Sequence, residues 1–134
     1  MKTLGVIIGA LAVLSLFMVI GLSRHAMAVD PAFKQCMGCH KIEQGKRGGM
    51  GPNLFGIYGA KAGQKEGYRY SEYLKNSGIV FDREALTAWL SDRKTRQAYF
   101  GKEVNDTKMM WTGVRGKDKD AKMKAIIDYL ETMK

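Results

Sequence analysis

Residues 36–40 read Cys-Met-Gly-Cys-His. Two thiols three positions apart, followed directly by an imidazole, form the pattern of a c-type haem attachment site. The chemistry needs those types at that spacing. The thiols of Cys36 and Cys39 add to the two haem vinyl groups, and His40 then lies under the iron and ligates it as neutral imidazole. Two other readings of Cys-x-x-Cys fit worse. A thioredoxin-like pair wants a βαβ setting, and none is visible. A zinc site wants a second Cys or His pair. The chain has two cysteines, and its other histidine is His25, upstream in a leader-like segment.

Residues 1–28 do not resemble a folded domain. Lys2 gives a positive start, Leu4 to Leu22 is an uncharged, mainly aliphatic run, Ser23-Arg24-His25 is polar, and Ala26-Met27-Ala28 offers an Ala-x-Ala cleavage site. That layout is a secretory signal peptide. The apolar run also approaches membrane-spanning length, so an uncleaved anchor is the competing reading. The small-residue site favours cleavage, as does the short tether an anchor would leave before the haem. Under either reading the chain is exported, free in the periplasm or anchored to the periplasmic face of the inner membrane, where haem is attached to such cysteines.

Residues 29–134 then make one domain, small for a self-sufficient core. A large apolar haem would complete that core. The whole chain has a net charge of +9. The leader takes away only two basic residues, Lys2 and Arg24, so the remainder stays basic. Such an excess aids solubility and steers a protein toward acidic partner surfaces. Export and the lack of a binding motif argue against nucleic acid. The sequence holds no internal repeat, low-complexity stretch or second domain.

The elements that position the haem residues read as helices. Asp30-Pro31 suits a helix start, with Asp30 as N-cap and Pro31 in the first position, so that a short helix carries Phe33 inward and runs into Cys36. Gly45 to Pro52 is a glycine-rich basic loop without the strand-loop-helix setting of a phosphate cradle. Asp82 to Asp92 reads as a second helix, capped by Asp82, with Glu84 in its first turn and Leu86, Trp89 and Leu90 on one face. From Lys117 to Lys134, Ala121, Ile126, Ile127, Tyr129, Leu130 and Met133 recur at near-helical spacing, which predicts an amphipathic C-terminal helix. The fold class is all-α.

Three runs carry a family resemblance: Gly51-Pro52-Asn53-Leu54-Phe55-Gly56, Gly67-Tyr68-Arg69-Tyr70-Ser71 and Lys75-Asn76-Ser77-Gly78-Ile79. In that order they resemble class I cytochrome c, closest to the mitochondrial and photosynthetic-bacterial type, over residues 33 to 134. The resemblance implies a small cytochrome c fold around a single haem c, in a one-electron carrier rather than an enzyme. It implies that the Pro52 carbonyl accepts a hydrogen bond from the second ring nitrogen of His40, as metal-bound histidines usually require. Tyr70 resembles the tyrosine that bonds a haem propionate, with the Ser71 hydroxyl beside it. Trp89 falls where the family faces the haem, usually with tyrosine, and its ring N–H is a donor. On helical pattern alone it is an ordinary core residue.

The sixth iron ligand must come from beyond that helix. The exported chain has no further histidine, and lysine would have to lose a proton. Methionine, a soft thioether, is the natural candidate. Met37 lies inside the attachment loop, Met50 is close to His40, and Met123 and Met133 belong to the last helix, which leaves Met109 and Met110. The family pattern, matched by Thr107-Lys108-Met109-Met110-Trp111-Thr112-Gly113, selects Met109 and puts Met110 on an ordinary apolar position. Neighbouring side chains in an extended segment point oppositely, so one of the two is the ligand. Trp111 resembles the aromatic that shields the exposed haem edge.

Several positions depart from the family. Its small residue at the helix crossing corresponds to Ala28, at the cleavage site. A propionate-facing arginine is replaced by Ala60, beside Lys61, a buried propionate-bonding tryptophan by Phe81, and an inner asparagine by Leu74. The stretch from Trp89 to Met109 is longer than the mitochondrial pattern, so Arg93 to Phe100 is expected to add a helical turn and to leave the ligand loop more mobile. Lys34, Lys41, Lys65, Lys102 and Lys108 are candidates to ring the haem edge and dock a monomeric carrier on acidic-faced redox partners. Those partners are a quinol-oxidising complex, a terminal oxidase, a reaction centre or a periplasmic dehydrogenase. An open-site haem enzyme or gas binder is the alternative class, and a membrane-tethered carrier another.

Overall fold

The structure, a computed structural model, describes residues 28–133. The leader assigned to residues 1–28 therefore lies outside the described residues, except for Ala28, which is exposed. Four helices follow in order: α1 (Glu72–Asn76), α2 (Arg83–Leu90), α3 (Arg93–Phe100) and α4 (Lys119–Thr132). Two 3-10 turns, Phe33–Cys36 and Lys102–Asp106, complete the set. Among the described residues there is no strand, only one isolated bridge between Lys61 and Val80. The architecture is all-α.

Side-chain caps define the helix starts. Ser71 Oγ accepts from the Leu74 amide at 3.3 Å, Asp82 Oδ1 from Ala85 at 2.8 Å, and Asp92 Oδ1 from Thr95 at 3.0 Å. Each satisfies an amide that a helix N-terminus leaves unpaired. Asp92 does not end the second helix, as the sequence suggested. It begins α3, and α2 stops at Leu90.

The first element is also shorter than expected. Asp30 accepts from the Ala32 amide at 2.7 Å, and its carbonyl accepts from Phe33 at 2.9 Å. The chain then makes a single 3-10 turn capped by Ala32. A segment this brief cannot recover the cost of nucleating an α-helix. It still delivers Phe33 into the core, fully buried.

α4 closes the molecule. Ile126 and Ile127 are buried, and the Tyr129 ring sits 5.0 Å from that of Phe33, centroid to centroid. Ala121, expected on the apolar face, is exposed, and Met123 is buried instead. Arg83 reaches from α2 to Asp128 at 2.8 Å and Glu131 at 2.6 Å. These ion pairs are exposed, so they fix orientation more than they stabilise.

The stretch before Met109 carries the helical turn expected over Arg93 to Phe100, and contacts tie it to the rest of the fold. It folds into α3 and the second 3-10 turn. The Tyr73 hydroxyl donates to the Phe100 carbonyl at 3.1 Å, and the Val114 amide to the Leu90 carbonyl at 2.9 Å. At Gly113 a Cβ would sit 2.7 Å from the Ser91 carbonyl, and φ is +96°. Only glycine lets the chain lie this close to the end of α2 in that conformation.

Candidate haem cleft

Among the described residues the helices frame an apolar cleft with a volume of about 390 Å³. Its walls include Cys36, Cys39, His40, Pro52, Tyr70, Ser71, Trp89, Met109 and Trp111. The structure thus gathers every site residue read from the sequence around one space. Aliphatic side chains such as Leu54, Ile57 and Leu86 fill the rest of the lining.

The Phe33–Cys36 turn and the bend after it place the attachment pentapeptide. The His40 amide donates to the Cys36 carbonyl at 3.0 Å, which curls the segment so that both cysteines and the imidazole line the cleft. His40 is 9% exposed, and its Nδ1–H donates to the Pro52 carbonyl at 2.8 Å. This bond leaves Nε2 with its lone pair free. Burial pushes the imidazole pKa below its ordinary value, against the opposing pull of the Pro52 carbonyl, so the ring is neutral near physiological pH. Gly51 makes this approach possible, because a Cβ there would sit 2.5 Å from His40 Cε1. Burial, with Cys39 nearby, pushes the Cys36 thiol up to about 11.

On the α2 side, Trp89 is buried between Phe81 and Phe100, with ring centroids 5.3 and 5.6 Å away. Its Nε1–H donates to Met109 Sδ at 3.2 Å. Met109 is half-buried, whereas Met110 is 98% exposed. Met110 was expected on an apolar position. Instead it projects into solvent at the cleft mouth, because its neighbour takes the inward direction. Trp111 is half-buried, and its Nε1 has no hydrogen-bond partner.

Tyr70 is buried against Tyr68, with rings 4.9 Å apart. Burial pushes its hydroxyl up to about 12, so it remains a donor. Ser71 spends its oxygen on capping α1 but keeps its hydroxyl proton to give. Phe81 and Leu74, where the family has polar side chains, are buried. Of the five lysines expected to ring the edge, Lys34, Lys41, Lys102 and Lys108 are exposed and Lys65 is half-buried. Lys65 bonds the Phe55 carbonyl, and Lys108 donates to the Arg69 carbonyl at 2.6 Å.

One residue of this region was not singled out in the sequence. Arg96 of α3 is 6% exposed, and its guanidinium carbon lies 5.6 Å from the centre of the Trp89 ring. In the run Arg93-Lys94-Thr95-Arg96-Gln97 it looks like one more solvated charge, and no local signal marks it.

The donor set fits a haem. Two thiols, a neutral buried imidazole and a thioether border one apolar space, a combination of soft and imidazole ligands suited to iron. No group of three or more His, Cys, Asp or Glu side chains able to hold a bare metal ion exists among the described residues.

The cytochrome c family model matches residues 30–134. The chain is 38% identical to cytochrome c2 iso-2 of Magnetospirillum molischianum over 102 residues, covering 76% of this chain and 94% of that protein. It is 39% identical to cytochrome c2 of Rhodoplanes tepidamans, covering 77% of this chain and 95% of that one. The solved structure of cytochrome cH from Methylobacterium extorquens aligns with a TM-score of 0.60 at 40% identity, over 75% of this chain and 91% of that one. Fold, cleft and relatives agree that the chain belongs to the cytochrome c family, as a monohaem electron carrier, not an enzyme, whose haem c is bound covalently through Cys36 and Cys39.

Proposed function

We propose that this carrier holds its iron between His40 and Met109 and passes single electrons between redox complexes in the periplasm. The haem supplies a one-electron ferric/ferrous couple whose potential depends on its axial ligands. The chain's own groups do the rest. His40, oriented by its Nδ1–H bond to Pro52, offers Nε2. Met109 offers one sulfur lone pair while the other accepts the Trp89 N–H. Neither ligand changes protonation with oxidation state, so little rearrangement accompanies transfer. With haem bound, Tyr70 and Ser71 would donate to a propionate, and Trp111 would cover the haem edge. The observation that carries the ligand pair is the inward turn of Met109 against the exposed Met110.

Redox complexes are the general class of partner. The finer reading is an acidic-faced one, such as a quinol-oxidising complex, a terminal oxidase, a reaction centre or a periplasmic dehydrogenase. The basic surface supports it: without Lys2 and Arg24 of the leader, residues 29–134 keep a net charge of +7. The domain is read as residues 29–134, following a cleaved leader, acting as a monomer. No helix among the described residues is long and apolar enough to cross a membrane.

Carbon monoxide binding to the ferrous protein tests the ligand pair. Two protein ligands leave no open position, so the expected result is no shift of the ferrous spectrum under carbon monoxide. Rapid, stoichiometric binding would instead support an open-site enzyme or gas binder. Mixing with acidic partner membranes tests the docking reading. Reduction is expected to slow as ionic strength rises, and a salt-independent rate would overturn it.

A further inference from the structure

Arg96 and His40 are the buried polar or charged side chains among the described residues. His40 has a role in the cleft. Arg96 has none so far. A buried guanidinium is costly unless its donors are used, and although its Nε–H has no partner, both terminal nitrogens do. Its Nη1 donates to the Trp111 carbonyl at 3.2 Å and its Nη2 to the Ser91 carbonyl at 3.2 Å. The cation also lies over the Trp89 ring, an attractive arrangement with the negative face of an indole. No carboxylate forms an ion pair with it among the described residues.

These contacts join three things. Ser91 is the C-cap that follows α2, two positions after Trp89. Trp111 is two positions after Met109. Trp89 itself carries the N–H that meets Met109 Sδ. One planar fork therefore ties the segment on the far side of Met109 to the helix that carries its hydrogen-bond donor. The same fork limits tilting of the indole that aims this N–H. Gly113 adds an independent sign that the junction is meant to be tight, since a Cβ there would collide with Ser91 and Asp92. Lysine could not substitute, because an ammonium cannot present two parallel donors in a fixed plane.

We propose that Arg96 is a positioning residue for the sixth iron ligand, clamping the segment that follows Met109 onto α2 and holding Trp89 against the ligand sulfur. The proposal rests on Met109 being that ligand. α3, the added helix between Trp89 and Met109, then exists to carry the clamp.

Full-length holoprotein with Arg96→Met or Arg96→Lys tests this. Methionine keeps the apolar stem and loses every donor, while lysine keeps the charge and loses the fork. Exogenous imidazole is titrated into the ferric protein, and loss of the weak far-red band of thioether-bound iron is followed. Thermal melting is measured alongside. Arg96→Met should let imidazole displace Met109 at about tenfold lower concentration, as expected when the loss of two charge-assisted hydrogen bonds falls only partly on the Met109 segment. Arg96→Lys should fall between it and the parent. Lowered melting with imidazole affinity within twofold of the parent would overturn the clamp, as a merely structural role predicts. If Arg96→Met fails to fold, unchanged imidazole affinity in Arg96→Lys overturns it equally. Met109→Ala, run in parallel, separates the two readings. Survival of the far-red band there removes Met109 as ligand and the clamp with it, whereas its loss confines any failure to Arg96.

Discussion

Trp89→Phe isolates the hydrogen bond to the ligand sulfur. Phenylalanine keeps an aromatic ring between Phe81 and Phe100, whose centroids lie 5.3 and 5.6 Å from that of Trp89, and removes the N–H that reaches Met109 Sδ at 3.2 Å. A donor on the sulfur draws electron density from it. That weakens its donation to ferric iron more than to ferrous iron, and so raises the potential. A buried hydrogen bond of this kind is worth about 1 kcal/mol net. If that difference falls wholly on the ferric state, it equals about 40 mV for a one-electron couple. Trp89→Phe should therefore lower the midpoint potential by about 20 to 40 mV, the range reflecting how the bond is shared between the two states. Spectroelectrochemical titration reads this directly. The smaller ring also leaves space, so melting should drop by an amount equivalent to about 1 to 2 kcal/mol. A potential that is unchanged or raised, with the far-red band intact, would refute the role given to the indole N–H.

Three further outcomes follow from the geometry. Gly51→Ala puts a Cβ 2.5 Å from His40 Cε1, so the imidazole must turn from Pro52, and the yield of low-spin holoprotein should fall severalfold; normal yield and spectrum would contradict this. Ile126→Ala empties a fully buried position on α4 and should cost about 2 to 5 kcal/mol in denaturant unfolding, whereas a loss below about 1 kcal/mol would show that the core collapses around it. The Asp92 carboxyl is held below its ordinary value of 3.8 by the amide and hydroxyl of Thr95. A carboxylate with a depressed folded pKa adds stability above its unfolded pKa and loses it as pH falls through the folded one. The melting gap between the parent and Asp92→Asn should thus be open at pH 6 and narrow progressively as pH falls below about pH 4; a gap that does not narrow between about pH 4 and pH 2.5 would refute the assignment.

What the sequence revealed depended on how local the cause was. Asp82 could be read as a cap because the bond it makes, to Ala85, lies three residues away. Leu86, Trp89 and Leu90 could be read as one buried face because helical spacing alone aligns them. Cys36, Cys39 and His40 are adjacent, so their chemistry is written in five residues. Helix α1 is also capped locally, by Ser71, with Glu72 in its first turn and Gly78 just beyond its end. Those signals lay within a family motif and were not read as a helix. The first helix was overcalled because Asp30-Pro31 favours a start but says nothing of length, and the chain sustains only one 3-10 turn. Ala121 is exposed because Met123, Ile126, Ile127 and Leu130 set the buried stripe of α4 at i, i+3, i+4 and i+7, which Ala121 does not share.

Arg96 was illegible for a different reason. Its neighbours Arg93, Lys94 and Thr95 are exposed, and only the meeting of α3 with Trp89 and Trp111 buries it. In the longer stretch before Met109 the helix over Arg93 to Phe100 is legible but its anchoring is not, for the same lack of tertiary information. Its tethers, Tyr73 to Phe100 and Arg96 to Trp111, span 27 and 15 residues. Met109 could be chosen over Met110 from the family pattern, but the reason, the indole N–H on its sulfur, required the fold.

The most direct test of the account is the visible spectrum of the oxidised protein before and after Met109→Ala. The account predicts a weak far-red band from thioether-bound ferric iron in the parent and its complete loss in the variant. A parent without that band, or a variant that keeps it, would contradict the pairing of His40 with Met109.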